Sequence, residues 1–98
     1  MKQQPTPIMS IQRALKKDRV RLLPHFRERL SHRGLLWLDV VAVIHAAREA
    51  RADGTDRFGR ERWLIAGQAA SAFDIEIVCV IDYDQSGELV VFITLYFV

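Results

Sequence analysis

Cysteine is almost missing from this chain. Cys79 stands alone, so no internal disulfide can form, which suits a reducing cytoplasm. Long apolar runs are missing as well. The longest, "LVVFITLYFV" at residues 89–98, is too short for a membrane-spanning helix even with Thr94 counted in. The opening "MKQQPTPIMS" lacks the apolar core of a secretory signal. There is no H-E-x-x-H spacing; His25, His32 and Asp39 are too scattered for a compact ligand motif. No repeat, linker or low-complexity tract divides the chain. These absences predict one cytoplasmic domain over residues 1–98 with flexible first residues, no membrane partner, no metal and no cofactor.

One absence is local. After Arg62 there is no Lys or Arg. Residues 1–33 hold nine Lys and Arg against two acids, and residues 34–98 hold five against ten. A net charge of +2 therefore hides a strongly basic N-terminal part. An anionic partner is expected to dock there, or on the segment Arg57 to Arg62. The densest stretch is "PHFRERLSHRG", with two His and three Arg between His25 and Arg33.

The elements follow from spacing. "TPIMSIQRALKKD" predicts a helix capped by Thr6, with Pro7 in its first turn and Ile8, Ile11 and Leu15 on one stripe. "RVRLL" at 19–23 predicts a short strand. Residues 24–33 predict a second helix stopped by Gly34. On it His25, Arg29, His32 and Arg33 form one stripe beside Phe26 and Leu30, the geometry of a cleft edge. A third helix is expected over about 37–51, then a turn at "DGTD", 53–56. The rest predicts strands at 61–69 and from Phe73 to Asp84, a hairpin tip at 85–87, and a last strand to the C-terminus. The order is α-β-α-α-β-β-β, an α+β domain with an antiparallel meander. Strict alternation puts Ile75, Ile77, Cys79 and Ile81 on one face of the hairpin. It puts Val78, Val80, Val90, Phe92, Thr94, Tyr96 and Val98 on the other, which is too apolar to leave bare.

His25, Arg29, Arg33-Gly34 match an "H-x-x-x-R-hydrophobic-x-x-R-G" run. "LDVVAVI" follows as an Asp-led helix, Glu61-Arg62-Trp63 as an "E-R-aromatic" strand start, and Ile93-Thr94 as an "I-T" step on the last strand. In this order the motifs resemble a family of small bacterial domains in the RelE/ParE-like toxin superfamily, over about residues 10–97. The resemblance implies a small curved antiparallel sheet with helices on one face. It also implies metal-independent RNA cleavage, or a place in a toxin–antitoxin pair. Ribonucleases of that superfamily carry Arg and Lys on their last strands, and this chain has none there. Its cations would come from the second helix and "RFGRER".

The expected chemistry is attack of a ribose 2′-hydroxyl on the adjacent phosphate. His25 is the candidate proton carrier. Arg29, Arg33 and Arg62 are candidate phosphate forks, and ion pairing with Asp82 or Asp84 is the other role open to Arg29 and Arg33. Arg57 and Arg60 would widen the basic rim. Thr94 and Tyr96 would line the substrate path, with Tyr96 stacking on bases or packing in the core. Cys79 reads as a small core residue. An antitoxin segment or a second copy would cover the apolar sheet face or an edge. A non-enzymatic interaction domain on the same scaffold is the alternative function.

Overall fold

The computed structural model describes residues 5–69 and 73–98; residues 1–4, expected to be flexible, lie outside them. The elements are α1 (Pro7–Lys16), β1 (Val20–Leu22), α2 (Pro24–His32), α3 (Trp37–Ala46), β2 (Arg51–Thr55), β3 (Glu61–Gln68), β4 (Asp74–Asp84) and β5 (Gly87–Phe97). They build an α+β domain with one open sheet, in the order β1-β5-β4-β3-β2. The neighbours are antiparallel except β1, which runs parallel to β5 with Val20 opposite Val90 and Leu22 opposite Phe92. The sheet is thus mixed rather than a pure meander. The parallel strand needs a crossover, and the chain between β1 and β5 supplies a long one.

Local chemistry explains the helix ends. Thr6 Oγ1 accepts from the Met9 N–H, and Pro7 occupies the first turn of α1. Pro24 has no N–H to give a ladder, so it stops β1 and starts α2. Gly34, with φ +65°, lets the Leu35 N–H turn back to the Leu30 carbonyl and close α2. Asp39 Oδ2 accepts from the Leu36 N–H at the start of α3.

Two expectations about the middle of the chain fail. The third helix stops at Ala46, and residues 51–55 form the edge strand β2 instead of leading into a turn. Gln12 Nε2, on α1, donates to the carbonyls of Ile44 and Ala47 at 3.0 and 3.1 Å, so α1 caps α3. Ala52 pairs with Trp63, and Gly54, at φ +74°, lies where the β2–β3 register shifts. The turn falls at 56–60, where the Asp56 N–H donates to the Arg60 carbonyl.

All three helices pack on one face of the sheet. Ile8, Ile11, Phe26, Leu30, Val40 and Ile44 meet Ile65, Ile75, Ile77, Cys79, Val90 and Phe92 there. Gly67 permits the close approach of α3: a Cβ at that position would lie 2.6 Å from Val43 Cγ1. The opposite, open face carries Val80, Leu89 and Val91, with Leu23 and Ile93 packed over them.

A bulge in β5 corrects the strict alternation. Cys79 is opposite Phe92, but Val78 is opposite Thr94, so Ile93 is an extra residue. Val90 and Phe92 therefore belong to the helix-side core, and beyond the bulge Leu95 and Phe97 join them. The open face takes Leu89, Val91, Thr94 and Tyr96. Val78 and Val80 on that face are fully buried within the chain itself.

Candidate functional site

β1 pairs with only three of the eleven residues of β5, Val90 to Phe92. The Leu23 N–H makes one more bond, to the Phe92 carbonyl at 3.1 Å, and then α2 takes over the edge. A step of four residues along a helix rises ~6 Å, and two residues of strand rise ~6.8 Å. The i, i+4 series His25, Arg29, Arg33 thus keeps pace with Thr94, Tyr96 and their neighbours. His25 Nε2 lies 3.1 Å from Thr94 Oγ1. Arg29 Nε donates to the Leu95 carbonyl at 3.1 Å, and its guanidinium sits 5.8 Å from the centre of the Tyr96 ring. The Arg33 guanidinium sits 4.9 Å from the Phe97 ring centre. The other flank of α2 sends Phe26 and Leu30 into the core, where Phe26 meets the Phe92 ring at 5.4 Å and Trp37 at 6.4 Å. One helix thus seals a sheet edge, anchors the core and carries a row of cations.

A second group lies across the open face. The turn at 56–60 folds around Asp56, whose Oδ1 accepts from the N–H groups of Phe58 and Arg60. Burial works against the Asp56 charge, but those N–H groups and the Arg60 guanidinium prevail and hold its carboxyl below the usual range. Arg60 spans two acids, with Nε on Asp56 and Nη1 on Asp82, both at 2.8 Å. Arg62 Nη2 contacts Asp53 at 3.2 Å, while its Nε is buried without a hydrogen-bond partner. Phe58 is 67% exposed, with the Arg57 and Arg60 guanidiniums over its ring, 4.9 and 5.2 Å from the centre. A cavity of about 340 Å³ opens here, floored by Leu23 and Ile93 and walled by Arg57, Phe58, Arg60 and Arg62.

The predicted site residues thus fall into two clusters. His25, Arg29, Thr94 and Tyr96 stand together, with Arg33 one turn further on and over a ring of the helix-side layer. Arg57, Arg60 and Arg62 surround the cavity. Cross-strand register places Arg62, Val80 and Val91 in one row and Leu64, Val78 and Thr94 in the next. Strand spacing then sets the Arg62 and Thr94 Cα atoms about 12 Å apart. Arg62 is therefore not beside His25. The clusters adjoin through Leu23, which precedes α2, and Ile93, which precedes Thr94; both line the cavity. Thr94 is buried, whereas Tyr96 is 42% exposed and offers its ring to solvent.

The carboxylates settle which cations are neutralised. Asp82 is held by Arg60 and Asp84 by Arg19, so neither meets Arg29 or Arg33. Arg13 pairs with Glu88, Arg51 with Glu76, and Arg62 with Asp53. Among the described residues, Arg21, Arg27, Arg29, Arg33, Arg48 and Arg57 make no ion pair; of these, Arg27 and Arg29 lie on α2 and Arg33 caps its end. Arg19 holds the Asp84 carboxyl below the usual range, assisted by the Ser86 N–H. Burial pushes the Cys79 thiol up to about 12, which removes it as a nucleophile.

Sequence reasoning missed Phe58, Leu23 and Ile93. The first has a local signal, an aromatic residue set among the arginines of "RFGRER". The other two depend on the bulge and on the turn folding over the sheet, which are long-range events. Compared with known proteins, the chain matches no family model, no curated protein and no solved structure.

Proposed function

We propose that the protein binds single-stranded RNA along α2 and the adjoining open face of its sheet, and cleaves it without a metal. The observation that carries this reading is the set of guanidiniums on β1 and α2 that make no ion pair among the described residues, with the Tyr96 ring beside Arg29. Phosphates supply the missing negative charge, and exposed rings supply stacking surfaces for bases. The domain is then a relative of RelE/ParE-like toxins whose cations sit on a helix rather than on the last strands.

His25 is the proton carrier. In the tautomer whose Nε2–H donates to Thr94 Oγ1, Nδ1 keeps its lone pair. Nδ1 accepts the proton of a ribose 2′-hydroxyl as that oxygen bonds to the neighbouring phosphorus. The bond from phosphorus to the 5′-oxygen breaks, and the imidazolium returns the proton to that oxygen. The products are a 2′,3′-cyclic phosphate and a 5′-hydroxyl. Arg29, one turn from His25, holds the phosphate as charge builds on its oxygens, and Arg33, a further turn along α2, holds a neighbouring phosphate of the strand. Arg29 keeps donors free after its Nε bonds the Leu95 carbonyl.

A second reading, binding without chemistry, is favoured by the separation of Arg62 from His25. Incubating a mixed RNA with wild type and His25→Ala decides between the two. Cleavage requires products with cyclic phosphate ends from wild type, reduced at least ~100-fold in the variant. Equal RNA affinity for both proteins with no products from either leaves a binding domain. No salt-sensitive RNA binding at all leaves the interaction-domain alternative, with an antitoxin segment or second copy as partner.

A further inference from the structure

We propose that the cavity beside Phe58 receives one unpaired base of the bound RNA; the inference rests on the RNA reading above and assigns that site its ligand. The charge balance comes first. Arg60 and Arg62 are each held by carboxylates, from Asp56, Asp82 and Asp53, so the cavity is close to neutral inside despite its arginines. A phosphate gains little there, whereas an uncharged planar heterocycle fits. Arg57, on the rim, has no carboxylate partner among the described residues and remains for the phosphate attached to that base.

Shape and polarity agree. The floor, Leu23 and Ile93, is apolar. The wall includes an exposed phenyl ring with two guanidiniums close over it, and bases stack on rings and guanidinium planes alike. A volume of about 340 Å³ lies at the small end for ligand pockets, ~300–1,000 Å³, which suits a base and excludes a helix. The cavity wall also holds an unused donor. Arg62 Nε has no hydrogen-bond partner, and one contact at 3.2 Å to Asp53 fixes its guanidinium. A base carbonyl brought against Arg62 would give that donor a partner, which the free protein does not.

Position connects the cavity to the RNA track. Leu23 leads into α2 and Ile93 into Thr94, so a strand lying on Arg29 and His25 passes the cavity mouth. The experiment uses the full chain, ¹⁵N-labelled, titrated with adenosine, guanosine, cytidine and uridine, and separately with ribose 5-phosphate and an acidic hexapeptide. At least one nucleoside is expected to move the amide resonances of residues 57–60, 62 and 93, the acidic hexapeptide to leave them in place, and ribose 5-phosphate to move residue 57 at most; ribose 5-phosphate moving 58, 62 and 93 as a nucleoside does would overturn the base site. In parallel, Phe58→Ala is expected to weaken binding of a labelled single-stranded RNA about tenfold, the size of one base–aromatic stack, and Phe58→Trp to restore it. If RNA binding still depends on Arg29 and Arg33 while Phe58→Ala is neutral and nucleosides move nothing, the base site is wrong and the RNA reading survives. Nucleoside shifts without any RNA binding reject the RNA reading and, with it, this assignment. Shifts from the peptide alone overturn the base site in favour of a protein ligand.

Discussion

Two carboxylates, Asp56 and Asp84, tie part of this fold's stability to acid pH. Asp84 accepts from the Arg19 guanidinium and the Ser86 N–H, which holds its carboxyl below the ordinary 3.8, and Asp56 is depressed by its bonds to Arg60 and Phe58. A depressed carboxylate contributes stability above its unfolded value, and that contribution is lost as pH falls through the folded value. The sensitive window therefore lies below about pH 4. Melting temperatures measured from pH 5 to pH 2 should fall more steeply for wild type than for Asp84→Asn, which has no such charge to lose. Parallel curves would show that the Arg19–Asp84 pair contributes nothing. The legible part at this scale was residue type: His25 and the arginines are visible in one dimension. Their partners are not, because Arg60 finds Asp82 and Arg19 finds Asp84 only through the sheet.

At the scale of elements, α1 and α2 were readable because caps, prolines and apolar stripes are local. β2 was not, because the end of α3 is set by a glutamine of α1 and the pairing of residues 51–55 by β3. The bulge at Ile93 was equally silent, yet it decides which β5 side chains reach the site. Helix–sheet packing is tight enough to test. Adding a methyl group at Gly67 brings it 2.6 Å from Val43 Cγ1, so either the Val43 side chain turns aside or α3 shifts from β3. Gly67→Ala should cost about 1–3 kcal/mol in chemical denaturation. Val43→Ala, which opens space at the same contact, should cost less in the Gly67→Ala background than in wild type. Additive costs would mean that the two positions do not meet.

Across the whole molecule, charge is sorted by whether an acid is within reach. The basic excess before Gly34 was plain from composition, but composition could not tell paired from unpaired arginines. Folding places Arg13, Arg19, Arg51, Arg60 and Arg62 in ion pairs and leaves the arginines of α2 without one among the described residues. That division predicts a pattern in the salt dependence of RNA binding. Each phosphate neutralised on a single strand contributes ~0.7 to the slope of log affinity against log salt. Arg29→Gln and Arg33→Gln should each lower affinity at moderate salt and flatten the slope by about that amount. Arg51→Gln removes the same formal charge, but that charge is already engaged by Glu76 on the open face, and it should leave the slope nearly unchanged. The comparison separates a placed cationic row from mere net charge: if all three variants flatten the slope equally, RNA responds to overall charge alone, and α2 holds no privileged position.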